Sequence, residues 1–163
     1  MSHQPVIDGF EFASAGATQH GNLPLKEFSR LRDLLASDAG EVAYEVEGTR
    51  DERGQPSLRV SVRGALQLRC QRCLEGMAFE VDADSLLVLA ETQAEIDAEP
   101  AQVEGPDRVL GGREMRVRDL VEDELILALP YAPRHEHCAG TTLEGEGRQS
   151  PFAGLRGLMR STH

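Results

Sequence analysis

Two short stretches carry the residue types that could do chemistry. LRCQRCLEG (68–76) holds Cys70 and Cys73 at a C-x-x-C spacing, and RHEHC (134–138) holds His135 and Cys138 at an H-x-x-C spacing. Thiolate and imidazole are the ligands of structural zinc, which takes four of them in a tetrahedron, commonly as two pairs from separated parts of a chain. Cys70, Cys73, His135 and Cys138 form one such set, sufficient for one structural zinc ion. His137 is the weaker of the two histidines as a ligand, because it is adjacent to Cys138 and simultaneous coordination would be strained. Two other readings stay open on spacing alone: reduced thiols packed in a hairpin and core without metal, or a redox pair. A redox pair needs a C-x-x-C at a helix N-terminus, where the dipole lowers a thiol pKa, and here the motif joins two strand-like runs. No phosphate loop, nucleophile elbow or paired-carboxylate motif accompanies the cysteines. Four protein ligands would also fill the coordination sphere and leave no open position for catalysis. The expectation is a protein that is not an enzyme and has no small-molecule substrate.

The elements that must position these residues begin with the run leading into Cys70. Leu58, Val60, Val62, Leu66, Leu68 and Cys70 occupy even positions, with Arg59, Ser61, Arg63, Gln67 and Arg69 at odd ones. Period two over this length describes a strand with one face in the core and one in water. Gln71 and Arg72 form the tip, and the phase resumes as Met77, Phe79 and Val81 against Glu80 and Asp82. Leu86 to Leu89 then give a more continuous apolar run. Arg59, Arg63 and Arg69 share the outward face, with Arg72 at the tip. Guanidinium forks match phosphate oxygens, which makes these four arginines the candidates for RNA contact. The partner strand carries Glu80, Asp82 and Asp84 in the same outward phase, so cross-strand ion pairing is the competing role.

Other segments build around that hairpin. Glu41 to Thr49 alternates Val42, Tyr44 and Val46 against Glu41, Glu45 and Glu47, and a turn follows at RDERGQPS. The spacing of Leu25, Phe28, Leu31, Leu34 and Leu35 predicts an amphipathic helix over Leu23–Ser37, with Pro24 in its first turn and Gly40 beyond its end. VRDLVEDELILALP predicts a second, capped by Asp119 with Glu122 three residues on, burying Val117, Leu120, Val121, Leu125 and Leu129 and ended by Pro130. Residues 1–22 show no sustained periodicity and form an irregular or strand-bearing lead-in. Segment 91–112 reads as an acidic mobile loop, since Glu91 to Asp107 holds six acids and no base. Residues 139–163 read as a flexible basic tail with Arg148, Arg156 and Arg160. Within it SPFAGLRGLMR has helix-start signals at Ser150 and Pro151, with Phe152, Leu155 and Met159 on one side. The whole, 1–163, is expected to be a single α+β domain: an antiparallel sheet built around a long central hairpin and flanked by two amphipathic helices.

Composition narrows the partners. With 28 acids against 17 bases the net charge is −11, which opposes non-specific adhesion to nucleic acid and favours basic partners. Tryptophan is absent and aromatics are 4%, so an extended base-stacking surface is not expected. No apolar run is long enough to span a bilayer, and MSHQPVIDGF has neither a basic nor an apolar signal region. The expectation is a cytoplasmic protein without membrane contact, in which three cysteines point to metal or buried thiols rather than disulfides.

The order of CQRCLEG after an Arg-rich strand, an acidic segment, DLVEDELILALPYAPRHEHC and SPFAGLRGLMR resembles the bacterial YceD family, the large ribosomal RNA subunit accumulation proteins. The resemblance runs from Val60 to Met159, and EDELILALP and PFAGL are its most specific pieces. It implies a cytoplasmic, non-enzymatic factor for the synthesis, processing or stability of large-subunit ribosomal RNA, with that RNA or a basic ribosomal protein as partner. The alternative is an acidic protein-binding module that shields a basic ribosomal protein. Metal binding is not implied by the resemblance and rests on the cysteine and histidine spacing.

Overall fold

Residues 5–98 and 105–138 are described by the computed structural model. Their elements run β1 (Val6–Ile7), α1 (Gly9–Ala15), β2 (Thr18–Pro24), β3 (Leu35–Ser37), β4 (Glu41–Arg50), β5 (Pro56–Arg69), β6 (Gly76–Ala90), α2 (Gln93–Ala98), β7 (Asp107–Leu110), β8 (Met115–Arg116) and α3 (Val117–Ala128). The fold is α+β, with a mixed and mostly antiparallel sheet and three helices.

Strict alternation in β4 and β5 gives a sheet with one apolar face. Val42, Val46, Leu58, Val60 and Val62 have no exposed surface, while Glu41, Glu45, Glu47, Arg59 and Arg63 stand on the other side in water. β5 and β6 pair antiparallel from Ser57 opposite Val88 to Arg69 opposite Gly76. β4 pairs with the other edge of β5, and β2 pairs with β4. β3 adds a short antiparallel contact to β5, Leu35 opposite Leu68. β7 joins the far edge in parallel, Leu87 opposite Asp107 through Ala90 opposite Leu110. β1 and β8 form a separate two-stranded ribbon.

Helices α1 and α3 cover the apolar face, contributing Ala13, Val117, Val121 and Leu125 to the same core as the strand residues. Gly48 lets α1 lie directly on β4. A Cβ at this position would run into the carbonyl oxygen of Phe12 and come within 2.9 Å of the Ala13 Cα, and backbone atoms cannot swing aside as a side chain would. Gly48→Ala is therefore expected to cost about 1–3 kcal/mol, the usual range for overpacking. Urea unfolding should show a lower midpoint with an unchanged slope.

The segment expected as an amphipathic helix over Leu23–Ser37 is not helical. It is the end of β2, two single 3-10 turns (Leu25–Glu27 and Arg32–Leu34) and β3. Leu25, Phe28, Leu31 and Leu35 are buried as the spacing requires, but Leu34 is exposed. An i, i+3 spacing serves successive 3-10 turns as well as an α-helical stripe. The deciding interaction is distant: Glu122 of α3 accepts hydrogen bonds from the backbone N–H groups of Arg30 (2.7 Å) and Leu31 (3.2 Å).

Three further differences follow from local chemistry. The lead-in contains α1, capped by the Asp8 carboxylate on the Glu11 N–H at 3.0 Å and closed by Gly16 in the left-handed region. Within 91–112, α2 and β7 are formed elements of the fold rather than loop. α3 starts at Val117 after Arg116, which makes no side-chain cap bond, so Asp119 sits inside the first turn and pairs with Arg118 instead of capping. The basic tail at 139–163 and its SPFAGLRGLMR helix lie outside the described residues.

Candidate metal centre

At the end of β5 the chain turns back through Cys70–Glu75 in a tight knuckle. The Leu74 N–H donates to the Cys70 carbonyl at 2.9 Å, and the Cys70 N–H donates to the Glu75 carbonyl at 2.9 Å. Leu74 closes the turn at φ 65°, a conformation in which a branched non-glycine residue is uncommon. The Arg72 N–H points at the Cys70 sulfur, 3.4 Å away. A backbone donor aimed at sulfur stabilises a thiolate, as a metal-binding turn requires.

The second segment descends from α3 past Pro130 and docks against this turn, where the Gln71 N–H donates to the Pro133 carbonyl at 2.8 Å. That bond brings RHEHC alongside. Cys70 Sγ lies 3.7 Å from Cys138 Sγ, and His135 Nδ1 lies 3.3 Å from Cys73 Sγ and 3.9 Å from Cys138 Sγ. All four ligand atoms of Cys70, Cys73, His135 and Cys138 fall within 4.8 Å of one another. With zinc–sulfur bonds of about 2.3 Å, tetrahedral geometry puts two thiolates about 3.8 Å apart, so the spread suits one ion. His135 Nε2 is 3.1 Å from the Gly76 carbonyl. A carbonyl can only accept, so the proton of the neutral ring belongs on Nε2, the tautomer that turns the Nδ1 lone pair toward the sulfurs. His137 is exposed and outside the cluster.

The sulfurs differ in charge preference. The backbone donors of the turn, that of Cys73 foremost, draw the Cys70 thiol down to about 5. Burial, reinforced by hydrogen bonding with Cys70 and Cys73, pushes Cys138 up to about 11. The cluster thus favours the thiolate at Cys70 and disfavours it at Cys138.

The four arginines divide into two groups. Arg59 Nη1 bonds Asp84 at 2.9 Å, and Arg63 Nε bonds Asp82 at 2.9 Å, with Ser61 Oγ also on Asp84 at 2.7 Å. The Asp82 hydrogen bond raises the Arg63 pKa further. Arg69 and Arg72 are exposed and have no ion-pair partner among the described residues. Three residues not read as site residues from the sequence lie at the same tip or on its docked segment. Tyr131 and Arg134 are exposed, as is Leu74. Isolated surface residues carry no periodicity, and the docking of 131–138 on the turn was the missing information.

The family described as large ribosomal RNA subunit accumulation protein YceD matches residues 58–158, well over half of the chain and inclusive of both ligand pairs. The chain belongs to the YceD family. The match starts at Leu58, the third residue of β5, so α1, β2 and β4 precede the matched YceD region. The YceD description ties the family to the accumulation of large-subunit ribosomal RNA. No solved structure matches the chain. Among the described residues no helix is long and apolar enough to cross a membrane.

Proposed function

We propose that this chain acts in the cytoplasm as a non-enzymatic factor in ribosome biogenesis, supporting synthesis, processing or stability of large-subunit ribosomal RNA. The YceD match over residues 58–158 carries the reading. Within it, Cys70, Cys73, His135 and Cys138 hold one zinc ion whose task is structural. Four protein ligands complete a tetrahedron and leave no position for substrate or water, so the ion fixes the hairpin tip to the segment after α3. The partner is large-subunit ribosomal RNA. Of the four candidate arginines, Arg69 and Arg72 are available to phosphate, whereas Arg59 and Arg63 would first have to give up Asp84 and Asp82.

A second reading is favoured by the outer face of the sheet, where Glu41, Glu45, Glu47, Glu80, Asp82 and Asp84 outnumber Arg59, Arg63 and Arg69. Such a face suits a basic ribosomal protein that the acidic chain would shield. Depleting the protein from growing cells should lower the ratio of large- to small-subunit ribosomal RNA. An unchanged ratio would reject the proposed role, and co-purification of one basic ribosomal protein without RNA would favour the second reading.

A further inference from the structure

The only fully exposed aromatic among the described residues lies on the segment that docks on the Cys70–Glu75 turn, two residues before Pro133. Tyr131 has a relative exposure of 105%, so nothing packs on its ring, while Phe28 is buried and Phe10, Phe12 and Phe79 pack against the core. Arg69, Arg72 and Arg134 are exposed and make no ion pair among the described residues. The bond from Gln71 N–H to the Pro133 carbonyl joins the two segments, and Arg72 and Arg134 flank it as sequence neighbours of its two ends. Leu74, 67% exposed, adds an apolar surface to the same turn.

We propose that this tip is a contact site for a short stretch of single-stranded RNA, with Arg69, Arg72 and Arg134 on its phosphates and Tyr131 stacked on one base. The assignment rests on the ribosomal RNA reading above and places its contact at the tip rather than along the strand. A single strand is required because a ring can stack only on a base that is free of its helix. Glu75 and Glu136 are also exposed at the tip and repel phosphate on their sides, which limits the grip to a few nucleotides. The backbone hydrogen bonds of the knuckle and of the docked segment hold the main chain at Arg72 and Arg134 in place, so little backbone freedom is lost on binding.

The test uses the full-length, zinc-loaded protein and a fluorescently labelled oligouridine, followed by anisotropy over a series of salt concentrations. Three phosphate contacts on a single strand predict a log–log salt slope of about −2. Arg72→Ala with Arg134→Ala should flatten the slope to about −0.7 and weaken binding about tenfold or more. Tyr131→Ala should lose about tenfold, and Tyr131→Phe should retain binding because the ring remains. Arg59→Ala with Arg63→Ala should leave affinity unchanged. Zinc stoichiometry and thermal midpoint should stay at wild-type values in all of them, since none is a ligand or a core residue.

Absence of oligouridine binding by the wild-type protein, or binding that survives the Arg72, Arg134 and Tyr131 changes together, overturns the tip assignment. So does capture of a basic ribosomal peptide that these same changes abolish. Depleted cells separate the two levels of the reading. If the triple variant restores large-subunit ribosomal RNA as well as wild type does, the tip assignment fails and the family role stands. If depletion leaves that RNA unchanged, the family role itself fails.

Discussion

Replacing Cys73 or Cys138 by Ser, or stripping metal with a strong chelator, is expected to release stoichiometric zinc and lower the melting temperature by about 10 °C or more. Structural zinc contributes about 10–16 kcal/mol in small peptides that cannot fold without it. Here the sheet has its own core, so only the part of that energy that orders the tip and residues 130–138 is lost. A loss of about 5 kcal/mol in a chain of this size corresponds to roughly 10–20 °C. Hydrogen exchange should accelerate in the tip and in 130–138 while β4 and the first half of β5 stay protected. His137→Ala should change neither metal content nor midpoint. Finding no metal in protein purified without chelator would reject the zinc site.

The same ligands fix the direction of the pH dependence. At pH 7 the Cys138 thiol, pushed up to about 11, is protonated in the metal-free protein and must release its proton on binding. Cys70, drawn down to about 5, is already a thiolate at that pH and holds a proton against the metal only below it. Zinc affinity should therefore rise with pH through neutrality, with the proton released at Cys138 alone contributing about tenfold per unit. Competition with a chelating dye at several pH values reads this slope.

Glu122→Ala is expected to destabilise the chain by about 3 kcal/mol, the second-largest effect. Its carboxylate, 3% exposed, receives the Arg30 and Leu31 backbone N–H groups and the Arg30 Nε at 3.1 Å. Removing it strands two backbone donors, one of them fully buried, and each costs about 1–3 kcal/mol when left without a partner. Asp123 also binds Arg30 but is itself half exposed and cannot reach into the space that Glu122 fills. Glu122→Gln keeps an oxygen for the two N–H groups and loses only the charge toward a half-exposed arginine, so about 1 kcal/mol is expected. Equal losses in the two variants, by urea unfolding, would show that the charge rather than the backbone bonds matters.

Glu122 also explains what could and could not be read from the sequence. The strands β4 and β5 were legible because one sheet face packs on helices and the other meets water, which writes period two directly into the residues. The 25–35 segment was not. Its apolar spacing fits two backbone geometries, and the choice between them is made by a carboxylate more than ninety residues away. The short α1 left Asp8, Glu11 and Gly16 as its only marks, without enough apolar repeats to show a period. β7 was hidden by the acids around it: a parallel edge strand of four residues needs only Arg108 and Val109 half-buried to be held. At the candidate site, the clustering of Cys70, Cys73, His135 and Cys138 was legible from residue type and spacing. The exposed Tyr131 and Arg134 acquire meaning only once Pro133 is seen docked on Gln71.

The cysteine pair at the tip is separated from its partners by 62 and 68 residues, and this separation imposes an order on synthesis. β4, β5 and β6 emerge from the ribosome as an uninterrupted run of neighbouring antiparallel strands, able to pair while the rest of the chain is still being made. Cys138 follows only after α3. Until then Cys70 and Cys73 can hold an ion by two sulfurs at most, so a nascent chain that stalls before residue 138 carries a folded hairpin with an open, thiol-bearing tip. In the proposed zinc-bound form, the four-ligand centre closes only in a chain that has been made at least to Cys138.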